Sequence, residues 1–350
     1  MQAVARQRAS TSPFPGFDGL RLLAALTVLL SHAFIVAEGP GQKSGWLYMF
    51  VPNGLYGVYT FFIISGFLLT RSLSFNPDPI QFAVNRALRI VPGFMFCILV
   101  TTWIIGPIVS PLSIGAYFAR QVPYEYVADT LFCLCDSWQM PFTFTSDPNY
   151  MYVKNGSLWS LRYEIASYLF LLLSWVVLRK RALVTVVAVG LTVAVLLSPA
   201  VDTAVWGISY TLMFFTAGIV MYAIYARVGT NMRIGIACVV VLTVAALAGF
   251  QKIAFAAAGS YLIVLLAQRS NPLSRFASRW GDLSYGVFLF GWPVLALLNR
   301  VVTTRSGWEL FAYSLPVTIA LAGISWWVVE RPCLRAKDAF RKIKVLISGD

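Results

Sequence analysis

One histidine, His32, serves all 350 residues, and only 12% of the chain is charged. The five cysteines, Cys97, Cys133, Cys135, Cys238 and Cys333, form no CxxC pair and no Cys/His cluster of metal-binding spacing. Neither a metal site nor a disulfide framework is therefore expected. Also missing is any polar stretch of domain size, since long apolar runs recur from Phe17 to Glu330 and leave no room for a separate aqueous domain. No internal repeat is visible, which withholds support from an inverted-repeat transporter. The first apolar run lacks a small-residue cleavage site and carries Arg21 and His32, so it is expected to stay as a helix.

What is present is hydrophobic: 59% of residues, with a mean hydropathy of +0.74. Such a chain belongs in lipid, where only helices satisfy their own backbone in a single segment. The expected fold is all-α and polytopic, with about ten transmembrane helices near 18–38, 54–73, 90–109, 157–178, 182–198, 206–226, 233–250, 253–268, 282–301 and 310–330. Residues 1–333 read as one membrane domain. Residues 334–350 read as a basic amphipathic tail, with Leu334, Phe340, Ile343 and Ile347 broadly opposite its Lys and Arg, suited to an anionic inner leaflet.

Alternate connections differ in charge. With the N-terminus inside, nineteen of the 27 Lys and Arg fall on the inner side and six on the outer side. Both termini are thus expected to be cytoplasmic. This bias accounts for most of the net charge of +13, so no nucleic-acid partner is called for. The long outer connection, 110–156, is rich in Tyr, Phe and Trp; these rings suit either stacking on sugars or an interfacial aromatic belt.

Ionisable groups inside a bilayer are costly, so each needs a reason. Arg21 and His32 are eleven positions apart, three turns plus about 20°, and share one helix face roughly 16 Å apart. On the fourth helix Ser157, Ser160, Glu164 and Tyr168 form one stripe, with Glu164 at about the depth of His32. A neutral imidazole is the usual biological base, and a carboxylate would orient it and stabilise the imidazolium. The blander alternative is that His32 and Glu164 only hydrogen-bond helices together. Arg162 projects to the face opposite Glu164, where snorkelling is a sufficient account. Ser65-Gly66 lies near mid-membrane; close helix packing explains it, and no neighbouring base marks Ser65 as a nucleophile. Arg86 and Arg89, one turn apart and on the side of Arg71, would make a phosphate fork, although the positive-inside bias also puts arginines there.

Several segments in order resemble the acyltransferase 3 family of membrane acyltransferases. They are Phe17-Asp-Gly-Leu-Arg21 continuing to Ser31-His32, Phe61-Phe-Ile-Ile-Ser65-Gly66-Phe67, Arg86-Ala-Leu-Arg89-Ile-Val-Pro92, Trp159-Ser-Leu-Arg-Tyr-Glu164, Leu283-Ser-Tyr-Gly-Val-Phe-Leu and Glu330-Arg-Pro332. The resemblance spans nearly the whole chain. It implies an enzyme of a bacterial cytoplasmic membrane that moves an acyl group, most often acetyl, from cytoplasmic acyl-coenzyme A to a hydroxyl of a surface or exported carbohydrate. It also implies that His32 is the catalytic base with Arg21 and Glu164 as essential partners, and that Arg86 and Arg89, with Arg71, hold the coenzyme phosphates. Ser65, Trp159, Tyr163 and Arg162 are the candidate substrate contacts. Many relatives place a second histidine before the Trp-Pro of the ninth helix; here Gly291 precedes Trp292-Pro293, so proton chemistry falls to His32. A proton-coupled transporter built on His32, Glu164 and Arg21 is the competing reading.

Overall fold

The computed structural model describes residues 13–39, 54–132, 155–178, 184–185, 187–190, 206–302 and 306–335. These residues are helical, and no strand occurs among them. In chain order the helices are α1 (Phe17–Glu38), α2 (Leu55–Phe75), α3 (Pro79–Val109), the short α4 (Ile114–Phe118) and α5 (Val122–Phe132), and α6 (Leu158–Leu178). There follow α7 (Trp206–Val228), α8 (Met232–Leu247), α9 (Gln251–Ala267), α10 (Pro272–Trp280), α11 (Leu283–Val301) and α12 (Gly307–Arg335). Seven of them, α1, α2, α3, α6, α7, α11 and α12, are long and apolar enough to cross a membrane; α8 and α9 are apolar but shorter. The helix expected at 182–198 and the tail at 334–350 lie largely outside the described residues, as do Cys133, Cys135 and the aromatic-rich residues 133–154.

Local chemistry explains where several helices begin. Asp78 accepts hydrogen bonds from the Ile80 and Gln81 amides at 3.0 and 3.1 Å, and Pro79 fills the first helical position. Thus α3 starts at Pro79, eleven residues before the expected 90, and Arg86 and Arg89 lie inside it. Asn271 and Ser274 exchange hydrogen bonds at the start of α10, a reciprocal cap on a helix that hydropathy alone does not suggest. Ser306 caps α12 by accepting from the Glu309 amide at 3.3 Å.

The chain divides into two compact units. The first is Met1–Ala24, Gly57–Pro77 and Tyr163–Arg279. In it α2 and α7 cross backbone to backbone: a Cβ on Gly66 would lie 2.0 Å from the Phe215 carbonyl oxygen, and one on Gly218 2.2 Å from that of Ile63. Small residues permit this approach, and dispersion between the helices rewards it where lipid offers no hydrophobic gain. Phe14, Phe17, Phe67, Tyr222 and Tyr225 form an aromatic cluster beside the crossing.

The second unit is Ala25–Tyr56, Asp78–Arg162 and Trp280–Asp350. Here α11 packs on α12 where Gly286 meets Ala322, 2.7 Å from where a Cβ would stand. Pro293 in α11 has no N–H to give the Leu289 carbonyl four residues earlier. The Cys97 thiol of α3 donates to that oxygen instead, at 3.3 Å. Apolar side chains such as Leu173 and Val177 of α6, Val240 and Val244 of α8, and Trp327 and Val328 of α12 are exposed, as lipid-facing residues are. Beyond the membrane-length α3, Tyr117 is fully buried, donates to the Thr102 carbonyl at 2.9 Å, and has its phenol pushed up by that burial.

Candidate functional site

Because α1 is one continuous helix, Arg21 and His32 share a face along it, as their eleven-residue spacing requires. Arg21 is half-buried. His32 is buried, and its ring meets the edge of the Trp292 indole of α11 with centroids 4.8 Å apart at 79°. His32 Nδ1 has no hydrogen-bond partner among the described residues, and neither has Trp292 Nε1. A buried polar atom left without a partner costs about 1–3 kcal/mol, so two in contacting rings mark a place prepared for something else.

The third part of this place is the segment that leads into α6. A Cβ on Gly156 would fall 2.4–2.8 Å from three atoms of the six-membered ring of Trp292, so the backbone closely approaches the indole and only glycine fits. On either side of it, Asn155 and Ser157 are buried. Asn155 Oδ1 accepts the Ser157 amide at 3.1 Å, and its carbonyl accepts that of Leu158 at 3.1 Å. This turn commits the amide oxygen and leaves Nδ2 to point elsewhere. Nδ2 of Asn155 and Oγ of Ser157 have no partner among the described residues. Sequence reasoning missed Asn155 and Trp292. The usable signal is an Asn155-Gly156-Ser157 run one residue before the Trp159 to Glu164 motif.

Gly291 sits beside α1: a Cβ there would meet only the Leu29 methyl, at 3.1 Å, one turn before His32. Gly291, directly before Trp292-Pro293, therefore faces the helix that carries His32. No imidazole stands there in this chain.

The other expected residues have their own settings. Glu164 accepts a short hydrogen bond from the Tyr168 hydroxyl one turn on along α6. Trp159, Arg162 and Tyr163 are half-buried on the first turns of α6. Ser65 is half-buried next to the Gly66 crossing. Arg71 lies over the rings of Phe14 and Phe75, at 5.8 and 5.0 Å.

Arg89 is committed to carboxylates. Its guanidinium bonds Asp282 at 2.5 Å and Glu330 at 3.4 Å, and it lies over the rings of Tyr285 and Trp326. Glu330 is buried, its second oxygen accepting from the Ser325 hydroxyl at 2.8 Å, while Asp282 also accepts from Ser284 at 2.5 Å. One cation facing two anions is a poor phosphate ligand but a strong tie among α3, α11 and α12. Arg86, one turn earlier on α3, is half-buried.

The comparisons with known proteins agree with the motifs. A family model described as an acyltransferase domain matches residues 14–330. The chain is 27% identical to the O-acetyl transferase of Shigella phage Sf6, over 90% of this chain and 94% of that protein. It is 28% identical to nodulation protein 10 of Rhizobium leguminosarum bv. viciae, over 92% and 94% respectively. It is also 22% identical to the O-acetyltransferase OatA of Staphylococcus aureus, covering 91% of this chain but 57% of that longer protein. No solved structure matches the chain.

Proposed function

Since this chain belongs to the acyltransferase 3 family, we propose that it is an O-acyltransferase of a bacterial cytoplasmic membrane. It moves an acyl group, acetyl first among the candidates, from cytoplasmic acyl-coenzyme A to a hydroxyl of a surface or exported carbohydrate. The observation that carries the proposal is His32, the chain's one imidazole, buried against Trp292 with Nδ1 free of partners among the described residues. An acyl transfer to an alcohol needs a group that takes the hydroxyl proton as the oxygen attacks and returns a proton to the departing thiolate. His32 supplies both steps.

Arg21 and Glu164 are carried as the partner groups of that proton transfer. Both termini are assigned to the cytoplasmic side, a topology that the distribution of Lys and Arg favours. Of the three inner arginines, Arg86 and Arg71 are assigned to the coenzyme phosphates. Arg89, already held by Asp282 and Glu330, sets the helix that presents Arg86. Trp159, Tyr163, Arg162 and Ser65 remain the proposed substrate contacts.

Purified full-length protein, labelled acetyl-coenzyme A and a methyl glycoside acceptor test this directly. Label is expected on the sugar, and His32→Ala is expected to slow its appearance by about 10²-fold or more. Transfer at the wild-type rate by His32→Ala would overturn the assignment. Proton-driven uptake of the sugar without thioester loss would replace an enzyme by a transporter.

A further inference from the structure

Four polar atoms without partners among the described residues belong to side chains on or next to residues in contact with one indole: His32 Nδ1, Trp292 Nε1, Asn155 Nδ2 and Ser157 Oγ. All four side chains are more than nine-tenths buried. One contact chain joins them, from the His32 ring to the edge of Trp292, and from the six-membered ring of Trp292 to Gly156, which Asn155 and Ser157 flank. Their chemistry is specific. An indole N–H donates only. The Asn155 amide has its oxygen committed to the Ser157 N–H, so what it offers is likewise a donor. Two neutral N–H donors beside a base, in a site closed to water, are the arrangement that stabilises an oxyanion as it forms.

We propose that Asn155 and Trp292 are catalytic residues that donate hydrogen bonds to the thioester carbonyl oxygen of the acyl donor. The inference rests on the acyl-transfer reading given above. In the step it describes, the acceptor O–H attacks the thioester carbon and His32 takes the proton. The C=O electron pair moves onto oxygen, where Asn155 Nδ2–H and Trp292 Nε1–H receive the charge. Collapse re-forms C=O and breaks C–S. The proton on His32 passes to the departing sulfur, leaving an O-acyl ester and a free thiol. Gly156 is what allows Asn155 into this position, because any side chain there would strike the indole. Were Asn155 needed only to hold the turn, the acceptor Oδ1 would suffice, and nothing would call for a buried, unpartnered Nδ2.

The distinction between turn and donor sets the experiment. Asn155→Asp keeps an oxygen to accept the Ser157 amide but removes the N–H donor; Trp292→Phe keeps the ring against His32 and Gly156 but removes its N–H. The purified full-length variants are assayed for thiol release from acetyl-coenzyme A with a methyl glycoside acceptor, with His32→Ala alongside. Each is expected to lose about 10²–10³ in kcat, the effect of deleting one oxyanion donor, with KM for the coenzyme little changed. Trp292→Phe at wild-type kcat, or Asn155→Asp at wild-type kcat, overturns the inference, the latter by assigning Asn155 to the turn alone. If those variants are active while His32→Ala is dead, only this inference fails; if His32→Ala is active, the acyl-transfer assignment of His32 fails first. Should Asn155→Asp not fold, Trp292→Phe decides by itself.

Discussion

Arg89, one half of the fork that the sequence offers for phosphates, is engaged in the fold by two carboxylates. Its two acidic partners lie 193 and 241 residues away in the chain, a distance across which no local pattern speaks. Removing it leaves Glu330 buried with an uncompensated charge, a loss of roughly 3–5 kcal/mol for a broken buried pair. Arg89→Gln is therefore expected to lower the unfolding temperature of the purified protein, and adding Glu330→Gln to recover part of the loss. Arg86→Gln should leave that temperature near wild type and raise KM for acetyl-coenzyme A. Equal stability of Arg89→Gln and wild type would remove the tie. His32 stands out in the sequence because it is the one imidazole in the chain and lies in an apolar run. Asn155 and Trp292 do not, since an asparagine at a helix entrance and a tryptophan before proline each have ordinary uses, and only their meeting makes them a site.

At the scale of helices, hydropathy located the long apolar elements well. The spans 18–38, 54–73, 157–178 and 282–301 match α1, α2, α6 and α11 within about two residues, the normal uncertainty of helix ends. It failed where a helix starts in polar sequence. The first turns of α3 carry Gln81, Asn85, Arg86 and Arg89, which pull a hydropathy window below threshold, although Asp78-Pro79 is a readable cap and start. α10 was missed for the same reason: its polar face hides an element that amphipathic periodicity and the Asn271–Ser274 cap define. The α2–α7 crossing gives a sharp prediction. Gly66→Ala places a methyl within 2.0 Å of a backbone oxygen that has no flexible end to move. The substitution is expected to destabilise the protein by about 1–3 kcal/mol, read as a lower unfolding temperature, while the adjacent Ser65→Ala changes stability by far less. Indifference to Gly66→Ala would contradict the close approach.

For the molecule as a whole, composition decided the solvent and the motifs decided the family. A chain that is 59% hydrophobic, with seven helices among its described residues long and apolar enough to cross a bilayer, is a membrane protein before any site is considered. The order of its motifs, from Arg21 and His32 to Glu330-Arg331-Pro332, then carried the acyltransferase family, which the match over residues 14–330 shows. What neither composition nor motif order carries is the donor, the acceptor and the route of the proton, because these are set by contacts between side chains far apart in the chain. The most direct test of the central claim is mass analysis of surface polysaccharide from cells that produce either the wild-type protein or His32→Ala at equal levels. The account predicts acylated sugar units with the wild type and their loss with His32→Ala. Identical acylation in both would contradict it.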